Sequence, residues 1–228
     1  MIEVNKIYND DCMEIMKNME DLSVNLTIAD IPFGEVTKQG KDRAKYKGQL
    51  RKIDKGDADI VTFNTIDFLK EISRITSGSI YIFCGIEQVS EIFTFFKEDM
   101  KKDFMARFCV WKKTNPSPAN GQHMWLSGTE CIIFAKRRKT VFNQHCKSNV
   151  FEFPTERERM HPTQKPLELI KYLIRSSSNE GDIVFDPVCG SGTSCVGAIE
   201  TNRQYIGIEL NEKYYNIAKQ RISELKMA

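Results

Sequence analysis

Residues 183–209 constrain the fold more than any other stretch of this 228-residue chain. Ile183-Val184-Phe185-Asp186 is a short apolar run ending in an acid, Gly190-Ser191-Gly192 reads as a tight turn, and Thr193 to Glu200 reads as a helix. Tyr205 to Ile208 is a second apolar run, closed by Glu209 nineteen residues after Gly190. Strand, glycine turn, helix, strand and acid in that order describe one unit of a parallel sheet. Glycines let the main chain approach a ligand closely, and a helix N-terminus presents free N–H groups to it. An acid at the end of the second strand can accept hydrogen bonds from both hydroxyls of a ribose. No Gly-Lys-Ser/Thr follows the turn, which excludes a Walker-type phosphate loop. The stretch is suited to a nucleotide-like cofactor.

The rest of the chain repeats the alternation. Residues 2–8 pattern as a short strand, Asp11 to Glu20 as a helix capped by Asp10 or Asp11, and Leu26 to Ala29 as a strand. Thr65 to Ile75 carries Ile66, Leu69, Ile72 and Ile75 on one helical face, with Ser77-Gly78 as its stop. Ile80 to Cys84 reads as a buried strand and Glu87 to Lys101 as another helix. Arg107 to Trp111 and Glu130 to Ala135 are β-rich runs joined by the turn-forming Asn115-Pro116-Ser117-Pro118-Ala119-Asn120-Gly121, and so pattern as an antiparallel pair. Helices follow at Pro166 to Ser176 and at Asn211 to Leu225. The expected fold class is α/β: a single Rossmann-like, doubly wound, mostly parallel sheet with one antiparallel strand pair, in one domain spanning 1–228.

Composition narrows the setting. With 41% hydrophobic and 28% charged residues the chain is ordinary for a globular protein. No run approaches the ~18 apolar residues of a membrane span, and the N-terminus lacks a basic-then-apolar signal pattern, so the expectation is a cytoplasmic protein with no membrane partner. The seven cysteines form no C-x-x-C pair and several sit inside apolar runs, which predicts buried thiols and no metal centre. The net charge of +2 is small, but between Lys38 and Lys55 eight basic residues face only Asp42 and Asp54. A second basic run begins at Lys136-Arg137-Arg138-Lys139 and reaches Lys147 without an acid. Residues 35–60 thus read as a mobile basic loop, and residues 136–160 as a short segment able to meet nucleic acid. Arg137, Arg138, Arg157 and Arg159 are candidates for contacts to guanine edges.

Asp30-Ile31-Pro32-Phe33-Gly34 follows the strand at Leu26 to Ala29. Asp30 and the carbonyl of Ile31 can each accept a hydrogen bond from an exocyclic amino group, Pro32 stiffens the turn, and Phe33 offers a ring for stacking on a flat base. Combined with the glycine turn, this arrangement points to group transfer onto a nucleobase.

The run Asp186-Pro187-Val188-Cys189-Gly190-Ser191-Gly192-Thr193 resembles the S-adenosylmethionine loop of amino-DNA methyltransferases, the N6-adenine and N4-cytosine DNA methylases. His161-Pro162-Thr163-Gln164-Lys165-Pro166 is similar to the segment preceding that loop in the beta group of the family, whose order, catalytic motif before cofactor loop, this chain shares. Tyr8-Asn9-Asp10-Asp11-Cys12 resembles the turn that addresses the cofactor adenine, with Asp11 the matching acid. Trp111 to Pro116 is similar to a pocket-lining segment, and Trp111 itself suits core or pocket wall equally. The resemblance covers nearly the whole chain.

It implies that Asp11, Cys12, Gly190, Ser191, Gly192 and Thr193 hold S-adenosylmethionine, with Asp186 near the methionine end, Glu209 on the ribose and Lys165 at the carboxylate. It implies that Asp30, Ile31, Pro32 and Phe33 form the catalytic motif, in which the family usually has Pro and Tyr where this chain has Ile31 and Phe33. The expected activity is transfer of a methyl group to the N6 amino group of an adenine flipped out of double-stranded DNA at a specific sequence, with no metal. N4-cytosine methylation is the alternative within the family; those enzymes more often carry Ser where Asp30 stands. A catalytically silent DNA-binding homologue is the alternative outside enzymology. A homodimer and a cognate restriction enzyme stand open as further partners.

Overall fold

The computed structural model describes residues 2–32, 64–118, 121–156 and 164–227. Phe33, the basic loop expected at 35–60, Arg157, Arg159 and His161-Pro162-Thr163 lie outside the described residues. The strands are β1 (Lys6–Tyr8), β2 (Val24–Asp30), β3 (Thr76–Cys84), β4 (Phe104–Lys113), β5 (Thr129–Arg137), β6 (Val150–Phe153), β7 (Ile183–Asp186) and β8 (Gln204–Ile208). The helices are α1 (Cys12–Lys17), α2 (Thr65–Ile75), α3 (Val89–Thr94), α4 (Leu167–Ser177), α5 (Thr193–Glu200) and α6 (Glu212–Met227).

The eight strands form one sheet in the order β1-β8-β7-β2-β3-β5-β4-β6. Neighbours are parallel except where β5 meets β3 and β4, so β5 alone runs against the rest. Side chains along each strand alternate between two cores. Ile80, Ile82 and Cys84 of β3 join Met16, Phe68, Leu69 and Ile72 of α1 and α2 on one face. Tyr81 and Phe83 join Leu169, Leu173, Val196, Ala218 and Ile222 of α4, α5 and α6 on the other. Covering both faces lets the central strands be continuously apolar, and it is the expected doubly wound, Rossmann-like arrangement.

From β2 the chain crosses through α2 to β3 on one side; from β7 it crosses through α5 to β8 on the other. Strands β2 and β7 are neighbours, with Leu26 beside Val184 and Thr27 beside Phe185. A reversal of strand order of this kind opens a crevice at the carboxyl ends of the two strands. That crevice brings together two motifs 156 residues apart in sequence, Asp30 and Asp186.

Local details depart from the sequence reading. Helix α2 ends at Ile75 and β3 starts at Thr76 with no turn, so Ser77-Gly78 lies inside a strand. Gly78 serves close packing there: a Cβ would lie 2.1 Å from the Asn25 carbonyl oxygen, where β2 and β3 shift register. The helix expected over Glu87 to Lys101 is a 3-10 turn at Ile86–Gln88, then α3, then a π turn at Phe95–Asp99. The wide turn places consecutive Phe95 and Phe96 both in the core. In the 136–160 segment, β6 joins the sheet edge beside β4. Arg137 and Arg138 sit at the opposite edge from Asp30, donating to the carbonyls of Ser73, Thr76, Lys101 and Lys102. Guanidinium groups engaged this way close the ends of neighbouring elements and do not face the crevice.

Candidate active site

Strand β2 delivers Asp30 to the carboxyl edge, level with Phe83 of β3 and one residue short of Cys84, which pairs with Cys131 of β5. Because β5 runs backwards, its first residues lie on this same edge, and so does Glu130. Lys165, just before α4, enters between them. Its Nζ lies 2.7 Å from Asp30 Oδ2 and 3.1 Å from Glu130 Oε2. Lys113 at the end of β4 lies 2.9 Å from Glu130 Oε1. The Lys165 side chain is 7% exposed and its ammonium stands 5.2 Å from the centre of the Phe83 ring.

Charges therefore alternate: Asp30, Lys165, Glu130, Lys113. Burial works to lower the Lys165 pKa, but the Asp30 and Glu130 charges outweigh it and hold the ammonium above its ordinary value. Burial likewise works to raise the Glu130 pKa, and Lys165 and Lys113 overcome it, keeping the group below the usual carboxylate range. Buried charges persist when each is paired in this way. Lys165, which the family resemblance implies for the cofactor carboxylate, here contacts Asp30. Glu130 gave no signal in sequence, because a lone acid at a strand start looks like surface.

The turn after Asp30 is fixed from below. Ile31 is buried, and its N–H donates to the Phe83 carbonyl at 3.2 Å, extending the β2–β3 ladder one step past Asp30. A proline at this position has no N–H to give, so Ile31 supplies a restraint of its own where the family usually has a fixed ring. Gln88 adds a clamp: its Nε2 donates to the Pro32 carbonyl at 2.9 Å and its Oε1 accepts from the Gly85 N–H at 2.9 Å.

The glycine turn stands at the end of β7. Gly190 and Gly192 have φ of +53° and +75°, the left-handed region that favours glycine. A Cβ on Gly192 would also come within 2.9 Å of the Ala218 Cβ on α6. Asp186 braces the turn from inside, accepting from Val188 N–H at 3.0 Å and from the Ser194 hydroxyl. Burial pushes its carboxyl up to about 7, against the two hydrogen bonds that pull it down. Arg221 of α6 holds the outer side, with Nη1 2.6 Å from the Ser191 carbonyl oxygen and 3.2 Å from Thr193 Oγ1. One arginine on an amphipathic helix carries no sequence mark of that role.

Glu209 follows β8 and spans two loops. Its Oε2 accepts from the Gly190 N–H and its Oε1 from the Asn211 N–H, each at 2.8 Å. Burial raises its pKa while these two amides lower it. The Glu209 N–H donates to the Tyr8 carbonyl at 2.9 Å, and the Asn9 side chain reaches the Glu209 carbonyl at 2.9 Å, which ties the β1 turn to the same place. Asp11 caps α1 by accepting from the Met13 N–H at 2.7 Å. Cys12 is held as a thiol, pushed up to about 12 by burial and by the Asp11 charge. Trp111 is core: its indole N–H donates to the Phe153 carbonyl at 2.9 Å and the ring is buried. Among the described residues no cluster of His, Cys, Asp and Glu could hold a metal, and no helix is long and apolar enough to cross a membrane.

Residues 24–220 match the family model of an N6/N4 DNA methylase, described as DNA methylase. The chain is 29% identical to Type II methyltransferase M.HinfI of Haemophilus influenzae, covering 98% of this chain and 69% of that protein. It is 30% identical to Type II methyltransferase M.HpaI of Haemophilus parainfluenzae, covering 93% and 72% respectively. The crystal structure of the M1.HpyAVI–SAM complex superposes with a TM-score of 0.71 at 27% identity, covering 95% of this chain and 98% of that one.

Proposed function

This chain belongs to the N6/N4 family of DNA methylases, and from that premise we propose that it transfers a methyl group from S-adenosylmethionine to the N6 amino group of an adenine extruded from double-stranded DNA. The observation that carries the reading is the adjacency of Asp30 and the Gly190-Ser191-Gly192 turn across neighbouring strands β2 and β7. An amino acceptor held at the first and a methyl donor held at the second meet in one crevice.

The residues fit the cofactor. S-adenosylmethionine presents an ammonium, a sulfonium, ribose hydroxyls and an adenine amino group. The crevice answers with acceptors: Asp11, Asp186 and Glu209 on successive strand ends, and a glycine turn too tight for side chains. Each Glu209 oxygen gives one lone pair to a main-chain amide and keeps another for a ribose hydroxyl. When bound, the cofactor supplies an activated methyl group on a sulfonium sulfur.

The chain's own residues do the rest by placement. An adenine amino nitrogen is a poor nucleophile because its lone pair is delocalised into the ring. Asp30 and the Ile31 carbonyl accept its two hydrogens and favour the tetrahedral geometry that frees the lone pair. Lys165 pairs with Asp30 at 2.7 Å and fixes its orientation, while Ile31 N–H and Gln88 hold the turn. Preorganised acceptors of this kind supply most of the acceleration expected here. Phe33 is the ring assigned to stack on the base.

N4-cytosine transfer is the second reading, since the same two acceptors suit either amino group; an acid at position 30, where serine is more usual for cytosine, favours adenine. A silent homologue would not need the buried Lys165–Asp30 pair. The test is incubation of the purified protein with unmethylated bacterial DNA and S-adenosylmethionine, digestion to nucleosides and mass spectrometry. N6-methyladenine supports the reading, N4-methylcytosine replaces the base, and no methylated base overturns it.

A further inference from the structure

The β4–β5 connection, described over residues 114–118 and 121–128, leaves the sheet from the same edge as Asp30. Its two roots, Lys113 and Glu130, belong to the chain of ion pairs that ends on that carboxylate. The connection is tethered. Asn115 exchanges hydrogen bonds with the Thr155 main chain at 2.6 and 3.1 Å, and Lys113 N–H donates to the Gly128 carbonyl at 2.8 Å. Leu126 folds back over Gly121, where a Cβ would meet its Cδ2 at 2.7 Å. On this held framework Met124 is 68% exposed and Trp125 is 97% exposed.

A tryptophan that lines a pocket keeps one ring face against protein. Trp125 has both faces bare. An apolar run with an open tryptophan, carried on a connection whose roots lie on the Asp30 edge, matches the form of the side chains that enter a base stack and hold it apart. Resting on the DNA-methylation reading above, we propose that Trp125, with Met124 beside it, is a wedge that enters the duplex at the target step and fills the space left by the extruded nucleotide. Trp125 then stacks on the bases flanking the gap, which is independent of their sequence because every base has a π face. Extrusion costs unstacking and unpairing, and the wedge offsets part of it.

The chain has two tryptophans and Trp111 is buried, so emission open to the neutral quencher acrylamide belongs to Trp125. Adding unmethylated plasmid DNA and the cofactor product S-adenosylhomocysteine should remove that quenching. Trp125→Ala should lower methyl transfer about tenfold or more, the effect of losing a base–aromatic stack, while Trp125→Phe stays within about threefold of wild type. Cofactor affinity by calorimetry should be unchanged in both. On a duplex carrying the mapped site with an abasic position opposite the target, where extrusion costs less, the Trp125→Ala defect should shrink. Persistent quenching with DNA bound, a wild-type rate in Trp125→Ala, or an equal defect on paired and abasic duplexes would each overturn the wedge. So would protection of Trp125 by rising protein concentration without DNA, which would assign the patch to a second copy of the chain. Wild-type protein that binds DNA but transfers no methyl group would overturn the activity reading instead, and the quenching experiment would still decide the wedge.

Discussion

Lys165 Nζ stands 2.7 Å from Asp30 Oδ2 across 135 residues of sequence, and both lie at the mouth of the β2–β7 crevice. The same ammonium reaches Glu130, so one buried cation serves two carboxylates. In the proposed methyl transfer, Lys165 is therefore a positioning residue that acts through Asp30.

Replacing Lys165 with Met removes the buried charge and leaves two partly buried carboxylates without their shared cation. Breaking a buried pair by deleting one partner costs about 3–5 kcal/mol, so the urea midpoint should fall markedly. Glu130→Gln on the wild-type background should cost less, because Lys165 keeps Asp30. Equal midpoints for wild type and Lys165→Met would remove the ion-pair chain from the stability of this edge.

Asp30→Ala should abolish methyl transfer while S-adenosylmethionine still binds, because the carboxylate belongs to the acceptor side of the crevice and the glycine turn does not depend on it. Calorimetry and a tritium-transfer assay on the same sample separate the two effects. Loss of cofactor binding as well would place Asp30 in the wrong half of the site.

Glu209→Ala should weaken cofactor affinity by two routes: loss of the ribose acceptor, and release of the Gly190 and Asn211 amides it now holds. Glu209→Gln keeps one acceptor oxygen and should fall between the two. Unchanged affinity in the alanine variant would sink the ribose assignment.

Gly192→Ala should destabilise the fold by more than about 1 kcal/mol, since alanine at a positive φ reverses the usual gain of a glycine replacement. The added methyl also meets the Ala218 Cβ at 2.9 Å. Thermal melting of the cofactor-free protein reads this directly, and no shift in the melting temperature would contradict it.

Asp186 gives a pH dependence with a definite sign. Its pKa is raised from 3.8 in the open chain to about 7 in the fold, so the folded state binds the proton more tightly. The contribution is fully present below pH 3.8 and is lost as pH rises through about 7. Asp186→Asn keeps a neutral acceptor for the Val188 N–H and should lack that loss. Melting curves from pH 4 to pH 8 that fall identically for both proteins would refute it.

The sequence by itself determined the α/β class, the alternation of strands and helices, the glycine turn and the acid at the end of each key strand. Those are local matters: the 2-residue and 3.6-residue periods, left-handed turns that favour glycine, and short polar caps are written into neighbouring residues. The start of β3 was not legible, because Gly78 looks like a helix stop until β2 is seen packed against it. Nor were Gln88, Glu130 and Arg221, which are ordinary polar residues until the sheet closes around them. The Lys165 partner was equally hidden. Tertiary structure decided these roles because strand order, and the reversal of β5 within it, sets which distant residues share an edge, and a buried charge settles on whichever opposite charge the fold places beside it.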